Sequence, residues 1–286
     1  LYFFIRADHP GLTIVGRKGV APAAPTKDQP LSGIGDEIDS FQYFDNVKIP
    51  WSQVVHIGNI DHAKEYPQRI FDWLHYADLA RQTVKAELMA GLAILMCDVS
   101  GTIRIPAVQL RVADIVRFRE AVRAHIIAAE DTGFITPGGL YKPNNLLFDF
   151  GRAYFNEQSP IVVQEIIDLA GRGPMMIPAE ADWQNPELRE WLEPLMRGPE
   201  GDDAKLKVYR VVRDLFLTDW GRRNFLFDQF NGTPLTAVRF LTMMRAEYQA
   251  DGPITELARE LCGLSLQESR ATDKAGYIKA QDVKTA

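Results

Sequence analysis

Hydrophobic residues change their spacing once along this chain, near Pro67, and the change limits its possible folds. Before Pro67, short runs rich in β-branched and aromatic residues are separated by turn residues, which is typical of strands. After it, apolar residues recur three and four positions apart through most of the sequence, which is typical of helices. The sequence therefore predicts a small β segment followed by a large helical body.

The β segment is predicted to run through about Ile57. Tyr2–Arg6 and Leu12–Arg17 flank a turn-forming sequence, so the second run is expected to return alongside the first. Ile38–Phe44 alternates apolar and polar residues in part, as a half-buried strand does, and Val54–Ile57 closes the region. A piece of sheet this small is not expected to be a stable domain alone.

Four long helices and a shorter fifth are predicted after the β segment, with no strand between Pro67 and Ala170. Their expected bounds are Pro67–Val99, a start near Pro106, Asn144–Ala170, Glu200–Pro234, and Leu235 to about Ala250. The segments between them are predicted to be a loop at Thr132–Pro143, an irregular insert at Gly171–Asp182 and a short acidic helix ending near Met196.

The apolar residues of the first two long helices define the faces that we expect to be buried. In the first helix these are Ile70, Trp73, Leu74, Ala77, Val84, Leu88, Leu92 and Leu95. In the second they are Val112, Ile115, Phe118, Val122 and Ile126. Long helices joined in this order predict an antiparallel four-helix bundle. Their wide apolar faces need more partners than one bundle supplies, so we expect a homo-oligomer.

The segment Glu200–Pro234 ends in an unusual way for a surface helix. Three phenylalanines and two arginines crowd its last turns, namely Phe225, Phe227, Phe230, Arg222 and Arg223. Asn231-Gly232 favours a left-handed helix cap, and Pro234 stops the helix. A rigid tip with free backbone groups would suit a ring-shaped, negatively charged ligand. The alternative is an ordinary capped helix, which local features alone favour, because glycine ends roughly a third to a half of helices.

Composition and motifs argue against several classes of function. A net charge of −6 disfavours nonspecific nucleic-acid binding, and no apolar run reaches the length of a membrane span. Two cysteines, Cys97 and Cys262, and no visible signal peptide favour the cytoplasm. The sequence has no glycine-rich dinucleotide motif, no phosphate-binding lysine loop and no histidine or cysteine metal motif. His75, with Asp72 and Asp78 nearby, is expected to be a hydrogen-bonded or surface histidine.

Three stretches carry a more specific signal when they are taken in order. They are Phe44–Trp51 (FDNVKIPW), Asp168–Glu187 with its DLAG start and NPE end, and Gly221–Pro234 with its FNGTP end. Together they resemble one family, the oxygenase component of 4-hydroxyphenylacetate 3-monooxygenase and its relatives. The resemblance extends over nearly the whole chain, to about Met244. Any one stretch would be a weak signal, whereas the ordered set is specific.

The resemblance implies a mainly α fold, the C-terminal four-helix bundle of the acyl-CoA-dehydrogenase-like fold preceded by part of a β-barrel domain. Residues 1–60 would then complete the middle barrel domain, 61–250 form the helical bundle, and 251–286 form a C-terminal tail. Members are typically homotetramers. Because the chain begins at Leu1 inside a strand-like run, we expect a preceding N-terminal portion. The family's principal catalytic residues belong to that portion, so no catalytic residue and no metal site is assigned here.

The resemblance also implies an activity. A separate flavin reductase supplies FAD as FADH2, oxygen adds to give a C4a-hydroperoxide, and this hydroxylates a phenol ortho to its hydroxyl group. The family's flavin contact at the tip of the last long helix matches Phe230, Asn231, Gly232, Thr233 and Pro234. Gly232 is expected there because close approach of the flavin leaves no space for a Cβ atom. Arg223, or Arg222, is expected to supply charge to the pyrophosphate.

Two rival functions stay open. The related 4-hydroxybutyryl-CoA dehydratase binds an iron–sulfur cluster through three cysteines and a histidine, whereas here Gln82 stands at the cysteine position two turns after His75. The second rival is a helical scaffold of the same fold that has lost its site. Within the family, hydroxyphenylacetate, free or carrier-bound tyrosines, nitrophenols and chlorophenols are all open as substrates.

Overall fold

The computed structural model describes residues 1–199, 203–245 and 248–264 and is mainly helical. Its helices are α1 (Ile60–Val99), α2 (Pro106–Asp131), α3 (Asn145–Ala170), α4 (Glu180–Gln184), α5 (Pro186–Met196), α6 (Ala204–Phe216), α7 (Asp219–Phe230), α8 (Leu235–Met243) and α9 (Glu256–Leu261). Its strands are β1 (Tyr2–Phe3), β2 (Leu12–Gly16), β3 (Ser40–Phe44), β4 (Val54–His56), β5 (Phe134–Ile135) and β6 (Tyr141–Lys142). Most of the 251–286 tail lies outside the described residues.

The β segment is confirmed, but its predicted pairing is wrong. β2 pairs antiparallel with β3, with Leu12 opposite Phe44, while β1 pairs with β4. The expected hairpin between β1 and β2 does not form, because the long loop after β2 brings β3 back beside it. Lengthening a loop adds little closure entropy, and an Arg17–Asp36 ion pair of 2.6 Å fastens the loop. Both described sheets of this segment have two strands, so the β-barrel assignment stays a prediction.

A short hairpin between α2 and α3 contradicts the expectation of no strand between Pro67 and Ala170. β5 and β6 pair antiparallel within the predicted loop. Thr136 closes the turn, since its hydroxyl accepts the N–H of Leu140 at 3.1 Å. Gly139 has a φ of 82°, which favours glycine. Two-residue strands are too short to produce a readable period, so the sequence pattern missed them.

The core lies among α1, α2 and α3, which pack on one another, with α6 packed against α1. The predicted inner face of α2 is confirmed at Val112, Ile115, Phe118 and Val122. The predicted face of α1 is mostly wrong, because Trp73, Val84 and Leu95 are exposed, although Leu92 is buried as predicted. The buried residues of α1 lie on its other side: Leu79, Ala86, Met89, Ala93 and Met96.

The predicted fourth long helix is two helices, α6 and α7. Thr218 separates them, since its hydroxyl accepts the N–H of Gly221 at 3.2 Å and donates to the carbonyl of Asp214 at 2.6 Å. Such a side chain caps α7 and ends α6. Gly221 then packs against the carbonyl of Leu215 with no space for a Cβ atom.

The helices near the C-terminal end match the predictions in part. α5 ends at Met196, as expected for the short acidic helix. α8 ends at Met243 and not near Ala250. Its Val238 is buried as predicted, and the side chain of Leu241 lies outside the described set. Among the described residues, no helix combines the length and apolarity that a membrane crossing requires.

Candidate functional site

The predicted tip is the turn Asn231–Thr233 between α7 and α8. Gly232 has a φ of 87°, so the predicted left-handed conformation is confirmed. The turn lies on two helices from elsewhere in the chain, because His75 of α1 and Arg152 of α3 contact it directly. The tip is therefore the meeting point of four helices, α1, α3, α7 and α8.

The backbone of the tip is bonded mostly to the protein itself. The Asn231 N–H donates to the carbonyl of Phe227 at 2.7 Å, and the Thr233 N–H donates to Nε2 of His75 at 3.1 Å. Nη2 of Arg152 donates to the carbonyls of Asn231 and Thr233 at 2.9 and 3.2 Å. The expectation of free backbone groups is wrong for these four, because buried polar side chains bind three of them and the last turn of α7 binds the Asn231 N–H.

Gly232 is required by the protein's own interior. A Cβ atom added there would lie 3.0 Å from the His75 ring and 3.3 Å from Nη2 of Arg152. Together with the positive φ, this contact explains the glycine without a ligand. The sequence analysis explained the same glycine by the approach of a flavin, whereas in the structure the contacts with His75 and Arg152 already require it.

His75 is buried, and both nitrogens of its ring have partners. Nδ1 lies 2.7 Å from Oδ1 of Asp149, while Nε2 accepts from Thr233. Since a backbone N–H can only donate, Nε2 carries no proton in this arrangement, and Nδ1 donates its proton to Asp149. The expectation of a hydrogen-bonded histidine is confirmed. Its partner is Asp149 of α3 and not the nearby Asp72, which pairs with Lys142.

An ion pair of Asp78 and Arg152 lies one turn further along α1 and α3. Nε of Arg152 is 3.3 Å from Oδ2 of Asp78, and both side chains are 1% exposed. Burial raises the pKa of Asp78 and lowers the pKa of Arg152, and the opposite charge of the partner counteracts each shift. Asp78 also accepts a hydrogen bond of 3.0 Å from the side-chain amide of Asn231, so the pair is joined to the tip.

These contacts belong to a ladder of polar pairs between α1 and α3. Its rungs are His75–Asp149, Asp78–Arg152 and Gln82–Asn156, the last with an amide contact of 3.4 Å. On both helices the three residues occur at the same spacing, i, i+3 and i+7, which places them on one face. The order of the rungs shows that α1 and α3 run parallel.

A second charged cluster fixes α7 to α1. Asp228 is buried and pairs with Arg81 at 3.0 Å and with Lys85. Lys85 also donates to the side-chain oxygen of Asn224 at 2.6 Å. Burial lowers the pKa of Lys85, while Asp228 favours its charged form. The Arg81 guanidinium lies 4.7 Å from the centre of the Phe227 ring, so it packs on the helix as well as pairing with it.

A cavity of about 350 Å³ opens beside the tip. It is lined by Asp39, Arg223, Leu226, Phe227, Phe230 and Asn231. Phe230 is 68% exposed, so a ring surface is available to a ligand at the edge of this cavity. Three of the sequence-predicted residues, Phe230, Asn231 and Arg223, thus share one cavity wall.

The two candidate arginines differ in their surroundings. Arg223 donates to Asp39 at 2.9 Å and lies 3.7 Å from Asp36, so carboxylates of the β segment already balance its charge. Arg17 binds the same Asp36 and, as the main cause, lowers the pKa of that carboxyl to about 2. Arg222 is exposed, and no ion pair of its side chain is found among the described residues.

A second cavity, of about 540 Å³, lies on the N-terminal part of α1. It is lined by Tyr66, Ile70, Trp73 and Leu74 and is almost wholly apolar. Phe71 links this region to the tip, because its ring stacks on His75 at a centroid distance of 5.7 Å. An apolar recess and a polar turn are therefore neighbours along one helix.

Comparison with known proteins places the chain in a family. The sequence profile described as HpaB, 4-hydroxyphenylacetate 3-hydroxylase C terminal, matches residues 68–263, which is more than half of the chain. The chain belongs to the HpaB family. The resemblance drawn from the three sequence stretches is thereby confirmed.

Individual relatives of this HpaB-family chain are similar along almost all of its length. It is 52% identical to the 2,4,6-trichlorophenol monooxygenase of Cupriavidus pinatubonensis, covering 96% of this chain and 53% of the relative. It is 47% identical to the FADH(2)-dependent monooxygenase TftD of Burkholderia cepacia, covering 99% of this chain and 55% of the relative. The chain spans about half the length of the curated relatives it matches.

Solved HpaB structures share the fold. The crystal structure of the HpaB oxygenase component of 4-hydroxyphenylacetate 3-monooxygenase, complexed with FAD and 4-hydroxyphenylacetate, matches with a TM-score of 0.81 and 25% identity. The match covers 91% of this chain and 55% of that one. An archaeal 4-hydroxybutyryl-CoA dehydratase from N. maritimus matches with a TM-score of 0.77 at 18% identity, covering 91% of this chain and 52% of that one, a likeness of fold alone.

Sequence reasoning missed most of the polar residues around the HpaB-family tip. The sequence predicts Asp149, Arg152 and Asn156 only as part of a helix, and it predicts a hydrogen-bonded or surface His75 without its partners. A usable signal was present in the ladder spacing, since polar residues recur at i, i+3 and i+7 on both helices. Buried polar side chains need hydrogen-bond partners. Two sets of polar residues with the same spacing, one on α1 and one on α3, therefore indicate that these two helix faces pair with each other.

Proposed function

We propose that the chain forms the helical part of the oxygenase component of a two-component flavin-dependent monooxygenase that hydroxylates a phenol. Family membership carries this proposal, because relatives named as phenol monooxygenases match nearly the whole chain. A separate reductase would supply the reduced FAD. As the resemblance implies, oxygen would add to it as a C4a-hydroperoxide, which would hydroxylate the phenol. O2 is the co-substrate. A homotetramer and a cytoplasmic location belong to the same proposal.

Identity favours a phenol with electron-withdrawing substituents. Relatives named for 2,4,6-trichlorophenol and for 4-nitrophenol are 52% and 48% identical to this chain. Relatives named for 4-hydroxyphenylacetate are 28% identical or less. We therefore infer a chlorophenol or nitrophenol substrate. Attack ortho to the hydroxyl is the expectation from the resemblance, while the name of the Rhodococcus opacus relative also includes position 4 of nitrophenol.

We assign the cofactor contact to the tip, with Phe230, Asn231, Gly232, Thr233 and Pro234. A cavity of about 350 Å³ is at the low end of ligand pockets, which hold roughly 300–1,000 Å³. It suits one ring system of FAD and not the whole dinucleotide. The exposed Phe230 ring offers a stacking surface. Because four backbone groups of the tip are already bonded, contact would come through side chains and the Gly232 N–H.

Arg223 stays in the proposed site as a wall of the cavity. A pyrophosphate could use its charge only in competition with Asp39, which lies 2.9 Å away. Arg222 is the exposed alternative on the next position of α7. Charge-assisted bonds from either guanidinium would stabilise a bound phosphate.

A dehydratase-like function has less support. Gln82, at the position of the cysteine ligand, is buried and contacts Asn156. Among the described residues, no group of three or more histidines, cysteines or carboxylates could hold a metal ion. A helical scaffold without activity is the other alternative, and the same experiment tests it.

The decisive experiment is a product assay. The full-length protein is mixed with chemically reduced FAD, O2 and a panel of 2,4,6-trichlorophenol, 4-nitrophenol and 4-hydroxyphenylacetate, and products and hydrogen peroxide are quantified. We expect hydroxylated product from the chloro- or nitrophenol at a higher yield than from 4-hydroxyphenylacetate. Product identity gives the position of attack. Hydrogen peroxide alone from every phenol, at the rate of free reduced FAD, would contradict the proposed function.

A further inference from the structure

Arg152 of α3 is among the largest side chains that the described residues bury, with 1% of its surface exposed. Removing a guanidinium from water is costly, and replacing a buried ion pair by apolar residues of similar volume is often neutral or stabilising. Packing of the core alone therefore does not explain an arginine at this position. Its hydrogen bonds to the tip give another reason for it.

The guanidinium of Arg152 binds the two carbonyls on either side of Gly232. Nη2 donates to the Asn231 carbonyl at 2.9 Å and to the Thr233 carbonyl at 3.2 Å. Hydrogen bonds from a charged donor are stronger than those between neutral groups. The same nitrogen lies 3.3 Å from the place of a Cβ atom on Gly232, so the guanidinium is directly beneath the turn. These two carbonyls therefore point into the protein.

The direction of the Asn231 carbonyl decides where the Gly232 N–H points, because the two belong to one peptide group. No peptide bond between described residues is cis. In a trans peptide the C=O and the N–H point in opposite directions, so the Gly232 N–H points away from Arg152. Among the described residues this N–H has no hydrogen-bond partner, and Gly232 is only half-buried. The donor is therefore available to a ligand.

Asp78 of α1 holds the guanidinium in place. Its Oδ2 lies 3.3 Å from Nε of Arg152, and its Oδ1 accepts from the side-chain amide of Asn231 and from Arg81, each at 3.0 Å. Arg81 also donates to Asp228 of α7 at 3.0 Å. Water screens a fully buried ion pair very little. The network therefore joins the tip, α1, α3 and α7 through charged side chains.

We propose that Arg152 is a positioning residue for the proposed cofactor contact and that Asp78 fixes its guanidinium. By binding the Asn231 carbonyl from inside, Arg152 directs the Gly232 N–H toward the side from which FAD would approach. This inference rests on the proposed function, since it takes the tip to be the FAD contact. Arg152 binds the turn and is assigned no contact with the cofactor, so it is not a catalytic residue.

Two double variants separate the bonds to the tip from the stability of the fold. Arg152→Met combined with Asp78→Asn removes the donors to the tip and leaves no buried charge without its partner, so the protein should stay folded. Gln82→Met combined with Asn156→Leu is the matched control. That pair joins the same two helices at the next rung of the ladder and does not contact the tip.

Arg152→Lys is a second, more conservative variant in case the double variant does not fold. It keeps a positive charge beside Asp78. Arginine uses Nε for the carboxylate and Nη2 for the two carbonyls, whereas lysine has a single nitrogen for all of them. We therefore expect the tip to be loosened in this variant too.

The first measurement needs no cofactor. Amide hydrogen exchange of the segment around Asn231–Thr233 is followed by mass spectrometry in the FAD-free, full-length protein. Exchange should be about tenfold faster in the double variant of Arg152 and Asp78, because the turn opens more often without its bonds to α3. It should also be faster in Arg152→Lys and parental in the control. Parental exchange in both Arg152 variants would overturn the inference, whatever the flavin results.

The second measurement separates positioning from a loss of folded protein. The dissociation constant of reduced FAD is determined under anaerobic conditions, and the saturated complex is then mixed with O2 and the phenol of highest yield. The double variant of Arg152 and Asp78 should bind about tenfold more weakly and form product within about twofold of the parental rate. The control should match the parent in both. An unchanged dissociation constant with less active protein would mean that Arg152 is merely structural.

The two measurements also separate this inference from the proposed function. If exchange responds to the Arg152 variants but all of them bind reduced FAD like the parent, the tip does not serve the cofactor. The inference then fails while hydroxylation can persist. If the parent binds no reduced FAD and forms no product, the proposed function fails and the assignment of the tip to the cofactor with it.

Discussion

Gly232 combines a positive φ of 87° with a close contact inside the protein. Either feature alone would make a side chain at position 232 unfavourable, and Gly232 has both. A left-handed backbone costs a non-glycine residue about 1–2 kcal/mol. The Cβ position, 3.0 Å from the His75 ring, adds strain because the ring is held by Asp149 and cannot move freely.

We therefore predict that Gly232→Ala lowers the free energy of unfolding by about 2–3 kcal/mol without any cofactor present. Gly58→Ala is the matched control, since Gly58 has a φ of 83° and open space where the Cβ atom would be. It should cost only about 1 kcal/mol. Urea unfolding measured on both variants gives the comparison. Equal losses would mean that the His75 contact adds nothing.

At the residue scale, the sequence predicted where the tip lies but not that His75 and Arg152 contact it. The Asn-Gly-Thr-Pro sequence predicted a left-handed turn, because glycine and proline act on the local backbone. His75 and Arg152 contact the turn from 158 and 79 to 81 positions away. Such contacts depend on how helices pack, which local spacing does not specify. The shared spacing of polar residues on α1 and α3 was the available clue.

Among the elements, α1 shows why a clear period still led to a wrong face. α2 has one apolar side, so its buried residues were predicted correctly. α1 is apolar on two opposite sides: Leu79, Ala86 and Met89 are buried, while Val84 and Leu88 are exposed. A helix of this kind has no single preferred direction, so the apolar period alone does not decide which side is buried. Small alanines in fact allow the close packing of α1.

The β2–β3 hairpin is fastened to α7 by charges around Asp36. Its carboxylate is 2.6 Å from Arg17 and 3.7 Å from Arg223, and its side chain is almost fully buried. The hydrogen bond from Arg17 is the main cause that lowers its pKa from the usual 3.8 to about 2. A carboxylate whose pKa is lower in the folded state stabilises the fold above about pH 4, and that stabilisation is lost as the pH falls toward 2.

We predict that Asp36→Asn lowers the free energy of unfolding by about 1 kcal/mol at neutral pH, after allowance for solvent screening. The difference from the parent should shrink between about pH 4 and pH 2, because the parent's carboxyl becomes protonated there. Glu37→Gln is the control, since Glu37 is exposed and 3.9 Å from Arg223. Chemical unfolding at several pH values measures both, and a pH-independent loss would refute the charge-based explanation.

For the whole molecule, the exposed side of α1 is a feature that packing within the chain does not explain. Apolar side chains follow one line along this helix at Ile70, Trp73, Ala77, Val84, Leu88 and Leu95. The line lies opposite the buried face, so the helices packed on that face cannot cover it. Val84 is 69% exposed in the single chain. Large apolar stripes of this kind usually mark an interface. We therefore propose that this side of α1 joins copies of the chain.

We predict that Val84→Glu combined with Leu88→Glu reduces the molar mass of the full-length protein in solution, as measured by light scattering. Two carboxylates placed in an apolar interface lose their hydration without gaining a partner, which weakens association strongly. Leu195→Glu on α5, an exposed leucine on another helix, serves as the control and should leave the mass unchanged. The circular dichroism of all variants should match the parent, because both α1 positions face away from the core. A parent protein that is already monomeric would contradict the interface, as would an equal loss of mass in the α5 variant.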